Sequence, residues 1–155
     1  MKKSIGIVGA GAAGLCAAKH MMEAGYAVTL YEIGSHVGGM WVYKNDNNLS
    51  SAYRTLHINT ARDLTAFKDY PFDKSVQPFP DHKDMASYLV AYAKHYRITE
   101  RIRFKTRVVD VRPAPDYTAE RPRWQFEIEG GGVEEFDAVI VAKRGNVNSQ
   151  TLTCV

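Results

Sequence analysis

The sequence predicts a doubly wound α/β domain over residues 1–142 with a small antiparallel β-meander inserted in it. A short apolar strand at residues 4–8 precedes a glycine-rich turn and a helix-compatible run at 12–24. A second apolar strand follows at 27–31, and a third buried-type strand returns at 137–142. Together these strands predict a parallel sheet, and the short strands before the last one predict the meander.

The turn after the first strand contains a G-x-G-x-x-G motif made by Gly9, Gly11 and Gly14. Gly9 permits a tight turn, Gly11 lets a pyrophosphate approach the backbone, and Gly14 allows the helix to pack against the strand. Glu32 follows the second strand, where its carboxylate can accept hydrogen bonds from both hydroxyls of a ribose. That charge would repel a 2′-phosphate. The motif therefore predicts an adenine dinucleotide other than NADP.

Residues 34–61 show little periodicity, and a loop of this length predicts a functional segment that a bound cofactor would order. Asp81 is expected to cap the next helix, with His82 on the exposed capping surface. The other expected elements are a helical turn at 63–67, a helix at 83–96, a strand at 101–104, meander strands at 107–111, 123–128 and 133–136, and a hairpin turn at 130–132.

Composition excludes several classes of protein. Apolar residues make up 45% and charged residues 24% of the 155 residues, which are globular averages. A net charge of +3 does not indicate a nucleic-acid partner, and the basic residues between Arg97 and Arg107 are interpreted as a solvated surface. No apolar run approaches the roughly 18 residues of a membrane span. Cys16 and Cys154 form neither a disulfide framework nor a metal-ligand pattern, so a cytoplasmic location is expected.

Six blocks occur along the chain as a set: GAGAAG at 9–14, Glu32, Gly38-Gly39-Met40-Trp41, YRTLHINT at 53–60, FKDYPF at 67–72 and FPDH at 79–82. Through these blocks, over about residues 4–142, the chain resembles the flavin-containing monooxygenases. The Baeyer–Villiger monooxygenases are close relatives, but Asn59-Thr60 and Asp69-Tyr70-Pro71 look more like the flavin-containing branch.

The resemblance implies a Rossmann-like FAD-binding domain in a monooxygenase that uses NADPH and O2. Reduced FAD would capture O2 as a C4a-hydroperoxide and oxygenate the nitrogen of an amine or the sulfur of a sulfide. It also implies roles for individual residues: Gly9, Ala10, Gly11, Ala12 and Ala13 at the FAD pyrophosphate, Glu32 at the ribose, Met40 and Trp41 near the ribityl chain and flavin ring, Asn59 as the catalytic amide, Thr60 against the flavin, and Val108 at the adenine. Gly14 and Gly39 are further cofactor-binding residues that the resemblance implies.

Other interpretations stay open. Trp41 could be a core aromatic, and Asn59 could satisfy loop backbone groups. The sequence has no second G-x-G-x-x-G, so the NADPH-binding domain is expected outside it, and residues 143–155 are expected to be an irregular tail. Self-association or pairing with a partner chain is a further expectation. The alternatives to a monooxygenase are a non-catalytic FAD-binding or interaction module and the first domain of another two-dinucleotide flavoprotein.

Overall fold

The computed structural model describes residues 2–143, which form three α-helices and seven strands. Their bounds lie within one or two residues of those expected, so the predicted order of elements is confirmed. In chain order the elements are β1 Ser4–Val8, α1 Ala12–Glu23, β2 Ala27–Tyr31, α2 Arg62–Thr65, α3 His82–His95, β3 Ile102–Arg103, β4 Val108–Pro113, β5 Trp124–Ile128, β6 Gly132–Phe136 and β7 Ala138–Val141, with 3₁₀ turns at Gly39–Trp41 and Thr99–Arg101.

The larger sheet is parallel and has the strand order β3-β2-β1-β7. Its central strand β1 pairs on both sides, with Ile5 opposite Val28 of β2 and opposite Ala138 of β7. Because side chains alternate across a strand, the residues of β1 are divided between the two faces of the sheet. Both faces are covered, which is why β1 reads as a continuous apolar run.

Helices cover one face of this sheet and the meander covers the other. Ile7 and Leu30 pack into the main core with helix residues such as Leu15 and Leu89, and all four are at most 1% exposed. On the opposite face, Tyr31, Phe126 and Phe136 form a second, smaller core. The mixed α/β fold with a parallel sheet and a separate antiparallel sheet is therefore confirmed.

A glycine on the second face lets the two sheets approach closely. A Cβ built on Gly6 would lie 2.7 Å from the Phe136 ring and 2.8 Å from the Phe126 ring. The meander has the order β4-β5-β6, and Gly130 and Gly131 turn its hairpin with φ angles of 96° and 103°. Such angles favour glycine, which confirms the hairpin predicted from the Gly130–Gly132 run.

Helix α3 begins with a capping box. The Asp81 carboxylate accepts hydrogen bonds from the backbone N–H groups of Lys83 (2.7 Å) and Asp84 (2.9 Å), and the Asp84 carboxylate accepts one from the Asp81 N–H (3.1 Å). This arrangement satisfies N–H groups of the first turn that have no partner inside the helix. The predicted Asp81 cap is confirmed.

We expect Asp81→Ala to lower the free energy of unfolding by about 1 kcal/mol at neutral pH, because it removes this acceptor. The hydrogen bonds from the Asp84 and Lys83 backbone hold the pKa of Asp81 below its usual value. The cap is therefore complete above the carboxyl pKa of the unfolded chain and is lost as the pH falls through the lower pKa of the folded state. Denaturant unfolding at neutral and acidic pH measures both effects. Asp81→Asn keeps a capping oxygen, so it should retain most of the stability with less acid sensitivity; acid sensitivity equal to that of the unaltered chain would contradict this account.

His82 was expected on the exposed capping surface, and this prediction is wrong. The side chain is only 3% exposed, and its ring centroid lies 5.4 Å from that of Tyr43. Asp81 is the N-cap residue, so His82 is the first residue of the helix. At that position its ring packs against Tyr43, in the segment that follows Trp41. Of the expected tail at 143–155, all residues after Lys143 lie outside the described part of the chain, and so does Cys154.

Candidate functional site: a cavity at the ends of the parallel strands

A cavity of about 1020 Å³ lies where β1, β2 and β7 end. In open α/β sheets, ligands bind beyond the carboxyl ends of the strands, and this volume is at the upper end of the range of small-molecule sites. Residues from five parts of the chain line it: Val8, Gly9, Gly11, Ala12 and Ala13 from the β1–α1 turn, Tyr31, Glu32 and Ile33 from the end of β2, Gly38, Gly39, Met40, Trp41, Asn47, Leu49, Ser50 and Ser51 from the following loop, Thr106, Arg107 and Val108 from the start of the meander, and Val141, Ala142 and Lys143 from the end of β7.

The three motif glycines have different surroundings. Gly9 has a φ of 101°, and a Cβ built on it would lie 2.9 Å from the carbonyl oxygen of Ala142. A Cβ on Gly11 would meet only the Cα of Gly39, at 3.7 Å, so the direction toward the cavity is open to a ligand. A Cβ on Gly14 would lie 1.9 Å from the Gly9 oxygen. Gly14 therefore serves the close packing of helix and turn, and it does not line the cavity.

Helix α1 begins at this cavity without a side-chain cap. Its N-cap residue is Gly11, its first turn contains no acidic residue, and no described side chain bonds its first N–H groups. Ala12 and Ala13, which belong to that first turn, line the cavity. The contrast with the capping box of α3 is chemical, since a helix start without a carboxylate cap presents free N–H groups and positive potential to an anion.

Glu32 is held rigidly at the end of β2. Its side chain is 5% exposed, and its two carboxylate oxygens accept hydrogen bonds from the backbone N–H groups of Ala10 (2.9 Å) and Gly34 (2.8 Å). Ala10 is buried and does not line the cavity, so it contributes to the site through this bond and through the bond from the Gly38 N–H to its carbonyl, at 3.2 Å. Each carboxylate oxygen keeps a lone pair for a further donor.

Asn59 and Thr60 lie outside the lining of this cavity. Both are exposed, on a segment held by hydrogen bonds from the Ile58 N–H to the Pro80 oxygen (2.9 Å) and from the Arg62 N–H to the Pro78 oxygen (2.8 Å). The Thr60 hydroxyl lies 2.7 Å from that of Thr65. The cavity thus brings together Gly9, Gly11, Ala12, Ala13, Glu32, Gly39, Met40, Trp41 and Val108, and leaves Ala10, Gly14, Asn59 and Thr60 outside its lining.

Several lining residues were not among the predicted site residues. Asn47, Ser50 and Ser51 belong to the long loop whose length indicated a function, and the Ser50 hydroxyl donates to the Met40 carbonyl at 3.2 Å. Thr106 and Arg107 reach the cavity because their backbone joins the end of β2. The Thr106 N–H donates to the backbone carbonyl oxygen of Glu32 at 2.9 Å. Arg107 had been assigned to a solvated surface; it is exposed and also lines the cavity.

The FKDYPF block joins two helices and lies away from the cavity. The Tyr88 hydroxyl donates to the backbone carbonyl of Tyr70 (2.6 Å) and accepts from the backbone N–H of Phe67 (2.8 Å). Asp69 forms an ion pair with Lys19 of α1, which also contacts Glu23 at 3.0 Å. These hydrogen bonds to Asp69 and Glu23 raise the pKa of Lys19, and the Lys19 bond holds the pKa of Asp69 below its usual range. The block therefore fixes α1 against α3.

Two further features are absent from residues 2–143, a cluster of metal-ligating side chains and a membrane-spanning helix. No three or more His, Cys, Asp or Glu side chains in that range are grouped so as to hold a metal ion. None of the helices in the same range is long and apolar enough to cross a membrane. Cys16 is a half-buried free thiol.

A parallel sheet, a glycine turn, an uncapped helix start and an acid at the end of the second strand together define a dinucleotide-binding α/β domain. Comparison with known proteins makes this class more specific. The sequence model of the flavin-binding monooxygenase-like family matches residues 2–152, and the chain belongs to that family.

Relatives and solved structures agree with this assignment. The chain is 35% identical over 159 residues to flavin-containing monooxygenase FMO GS-OX-like 1 of Arabidopsis thaliana, a match that covers 90% of this chain and 34% of the relative. It is 31% identical to the N-oxide-forming dimethylaniline monooxygenase 4 of Rattus norvegicus, covering 91% of this chain and 26% of that one.

Among solved structures, S-allyl-L-cysteine S-oxygenase from Allium sativum superposes with a TM-score of 0.78 at 30% identity, covering 91% of this chain and 36% of that chain. OTEMO in complex with FAD and NADP superposes with a TM-score of 0.76 at 22% identity, covering 92% and 26%, which shows a shared fold. The chain spans about a third of the length of the Arabidopsis relative.

Proposed function

We propose that this chain is the FAD-binding portion of a flavin-containing monooxygenase that uses NADPH and O2 to oxygenate amine nitrogens or sulfide sulfurs. The observation that carries this proposal is the cavity of about 1020 Å³. Glu32, the open side of Gly11 and the uncapped start of α1 all line it. The printed activities of the relatives, N-oxide formation and S-oxygenation, support the substrate class.

The residues of the cavity fit the ADP half of FAD. A diphosphate would meet the free N–H groups of Ala12 and Ala13 and could approach Gly11 closely, because no Cβ intervenes there. The ribose hydroxyls would donate to the remaining lone pairs of Glu32. Adenine would lie against the backbone at Val108, on the meander side of the cavity.

The other half of FAD would extend past Gly39, Met40 and Trp41, which also line the cavity. Bound FAD supplies the redox chemistry, accepting a hydride from NADPH and delivering one oxygen atom of O2 to the substrate while the other leaves as water. The chain's own residues bind and orient it. We propose that Asn59 and Thr60 contact the flavin from the exposed segment next to Pro78 and Pro80, with the Asn59 amide as a hydrogen-bond donor to the reacting groups.

The partners follow from the same proposal. An amine or sulfide, O2 and NADPH are the reactants, and NADPH would bind to polypeptide other than these 155 residues. A cytoplasmic location would suit the free thiol of Cys16. Self-association or pairing with a partner chain stays a prediction.

A flavin-retention experiment tests this proposal. The purified chain is incubated with excess FAD and passed through a desalting column, and the flavin absorbance of the protein fraction is measured. We expect retained FAD approaching one per chain, against none for a control protein of similar size treated identically. Protein that emerges without flavin would contradict the proposal.

A second candidate, an FAD-binding module without turnover, is favoured by the position of Asn59 and Thr60 outside the cavity. We expect the chain alone, loaded with FAD and given NADPH and an aryl methyl sulfide, to form no sulfoxide above a free-FAD control. Sulfoxide formation above that control would show that this polypeptide is competent by itself and would rule out the second candidate.

A further inference from the structure

Tyr31 stands at the junction of the cavity and the meander. It is the last residue of β2, directly before Glu32, and its carbonyl accepts the Gly9 N–H at 2.8 Å. Tyr31 is among the residues that line the cavity, yet it is only 1% exposed, and its ring lies 5.4 Å from that of Phe126 and 6.1 Å from that of Phe136 in edge-on contacts. The residue that precedes the proposed ribose acceptor is therefore anchored in the core of the meander.

The Tyr31 hydroxyl closes a cluster of three side chains on three strands. It donates to one carboxylate oxygen of Glu134 in β6 at 2.9 Å, and the other oxygen of Glu134 forms an ion pair with Arg103 in β3. The guanidinium carbon of Arg103 also lies 5.5 Å from the centre of the Tyr31 ring. Burial, followed by the bond to Glu134, raises the pKa of Tyr31, so the hydroxyl stays a neutral donor.

Backbone bonds connect this cluster to both sides of the adenosine end of the cavity. The backbone carbonyl of Arg103 accepts the Glu32 N–H at 2.9 Å, and the backbone carbonyl of Glu32 accepts the Thr106 N–H at 2.9 Å. Thr106, Arg107 and Val108 form the meander wall of the cavity. A change in how β6 sits against β2 and β3 would therefore change the separation between the Glu32 carboxylate and that wall.

We propose that Tyr31, Glu134 and Arg103 are positioning residues that set this separation and thereby the affinity for the adenosine diphosphate half of the cofactor. The inference rests on the proposed function. The competing explanation is that the cluster only stabilises the meander, as any buried hydrogen bond would. The two differ in whether the affinity of the folded protein changes when the cluster is removed.

The test is ADP binding by Tyr31→Phe, measured by isothermal titration calorimetry well below the unfolding temperature. We expect the Kd for ADP to rise about 3- to 10-fold, the size typical of changes to a network coupled to a site. The matched control is Tyr88→Phe, which also removes a tyrosine hydroxyl from the interior; that hydroxyl bonds Phe67 and Tyr70 and lies on the helical face away from the cavity. It should lower the unfolding temperature and leave the Kd unchanged.

Glu134→Ala provides a second variant at a half-buried position, with its side chain 34% exposed, and it is expected to raise the Kd in the same range. Unchanged ADP affinity in either folded variant, or an equal rise in Tyr88→Phe, would overturn the positioning role. Absence of ADP binding by the unaltered chain would instead overturn the proposed function, and this inference with it.

Discussion

Replacing Gly14 with alanine is expected to lower the free energy of unfolding by more than about 3 kcal/mol and to abolish FAD binding. The added Cβ would lie 1.9 Å from the carbonyl oxygen of Gly9 and 3.0 Å from its carbonyl carbon, both of which are backbone atoms. Relief requires α1 to move away from the turn, and that movement separates the first N–H groups of the helix from Gly9 and Gly11. Denaturant unfolding and flavin retention measure the two effects.

Gly132→Ala is the matched control for this substitution. A Cβ there would lie 3.7 Å from the nearest atom, on Ile128, which is ordinary contact. We expect stability and FAD retention close to those of the unaltered chain. A Gly14→Ala protein as stable as the Gly132→Ala protein would show that the turn and helix are not packed as described.

Replacing Glu32 with glutamine is expected to weaken FAD binding about 10- to 100-fold and to lower the free energy of unfolding by about 1–3 kcal/mol. The carboxylate accepts the N–H groups of Ala10 and Gly34 with its two oxygens. A glutamine offers one acceptor oxygen, so one of these N–H groups would face the amide NH2. The substitution also removes the negative charge that ribose hydroxyls would bond.

Glu120→Gln makes the same chemical change at an exposed position on the excursion between β4 and β5. It is expected to leave FAD affinity and stability within error of the unaltered chain. The measurement is FAD titration followed by protein fluorescence, with each variant's unfolding curve recorded alongside. Equal FAD affinities for the two variants would contradict the role assigned to Glu32.

Local spacing was sufficient to predict the β1–α1 turn. Gly9, Gly11 and Gly14 lie within six residues, and the conformation each needs depends on its nearest neighbours and one adjoining strand. The same is true of the Asp81 cap, where donor and acceptor are two or three residues apart. Such features are specified by the chain within a few residues, and for that reason the sequence identifies them.

Features that depend on distant contacts were not predicted. Thr106 and Arg107 reach the cavity because β3 pairs with β2, and no local sequence pattern predicts that pairing. His82 is buried because the segment at Tyr43 folds over it. The position of Asn59 outside the cavity likewise follows from its segment, in which Ile58 and Arg62 pair with residues 78–80.

The resemblance to a family located blocks of residues but did not separate those that bind a cofactor from those that pack. Gly39, Met40 and Trp41 line the cavity, whereas Asp69 and Tyr70 join α1 to α3. Only the contacts distinguish the two roles. Trp41 combines them, since it lines the cavity and also packs against the main core.

The most direct test of the central claim compares FAD with FMN, which shares the flavin but lacks the adenosine monophosphate half. If the cavity between Gly11, Glu32 and Val108 holds that half, FAD should bind at least about tenfold more tightly than FMN, a difference of about 1.4 kcal/mol, and ADP should displace FAD. Equal affinities for FAD and FMN, or FAD binding that ADP does not displace, would contradict the assignment of this cavity.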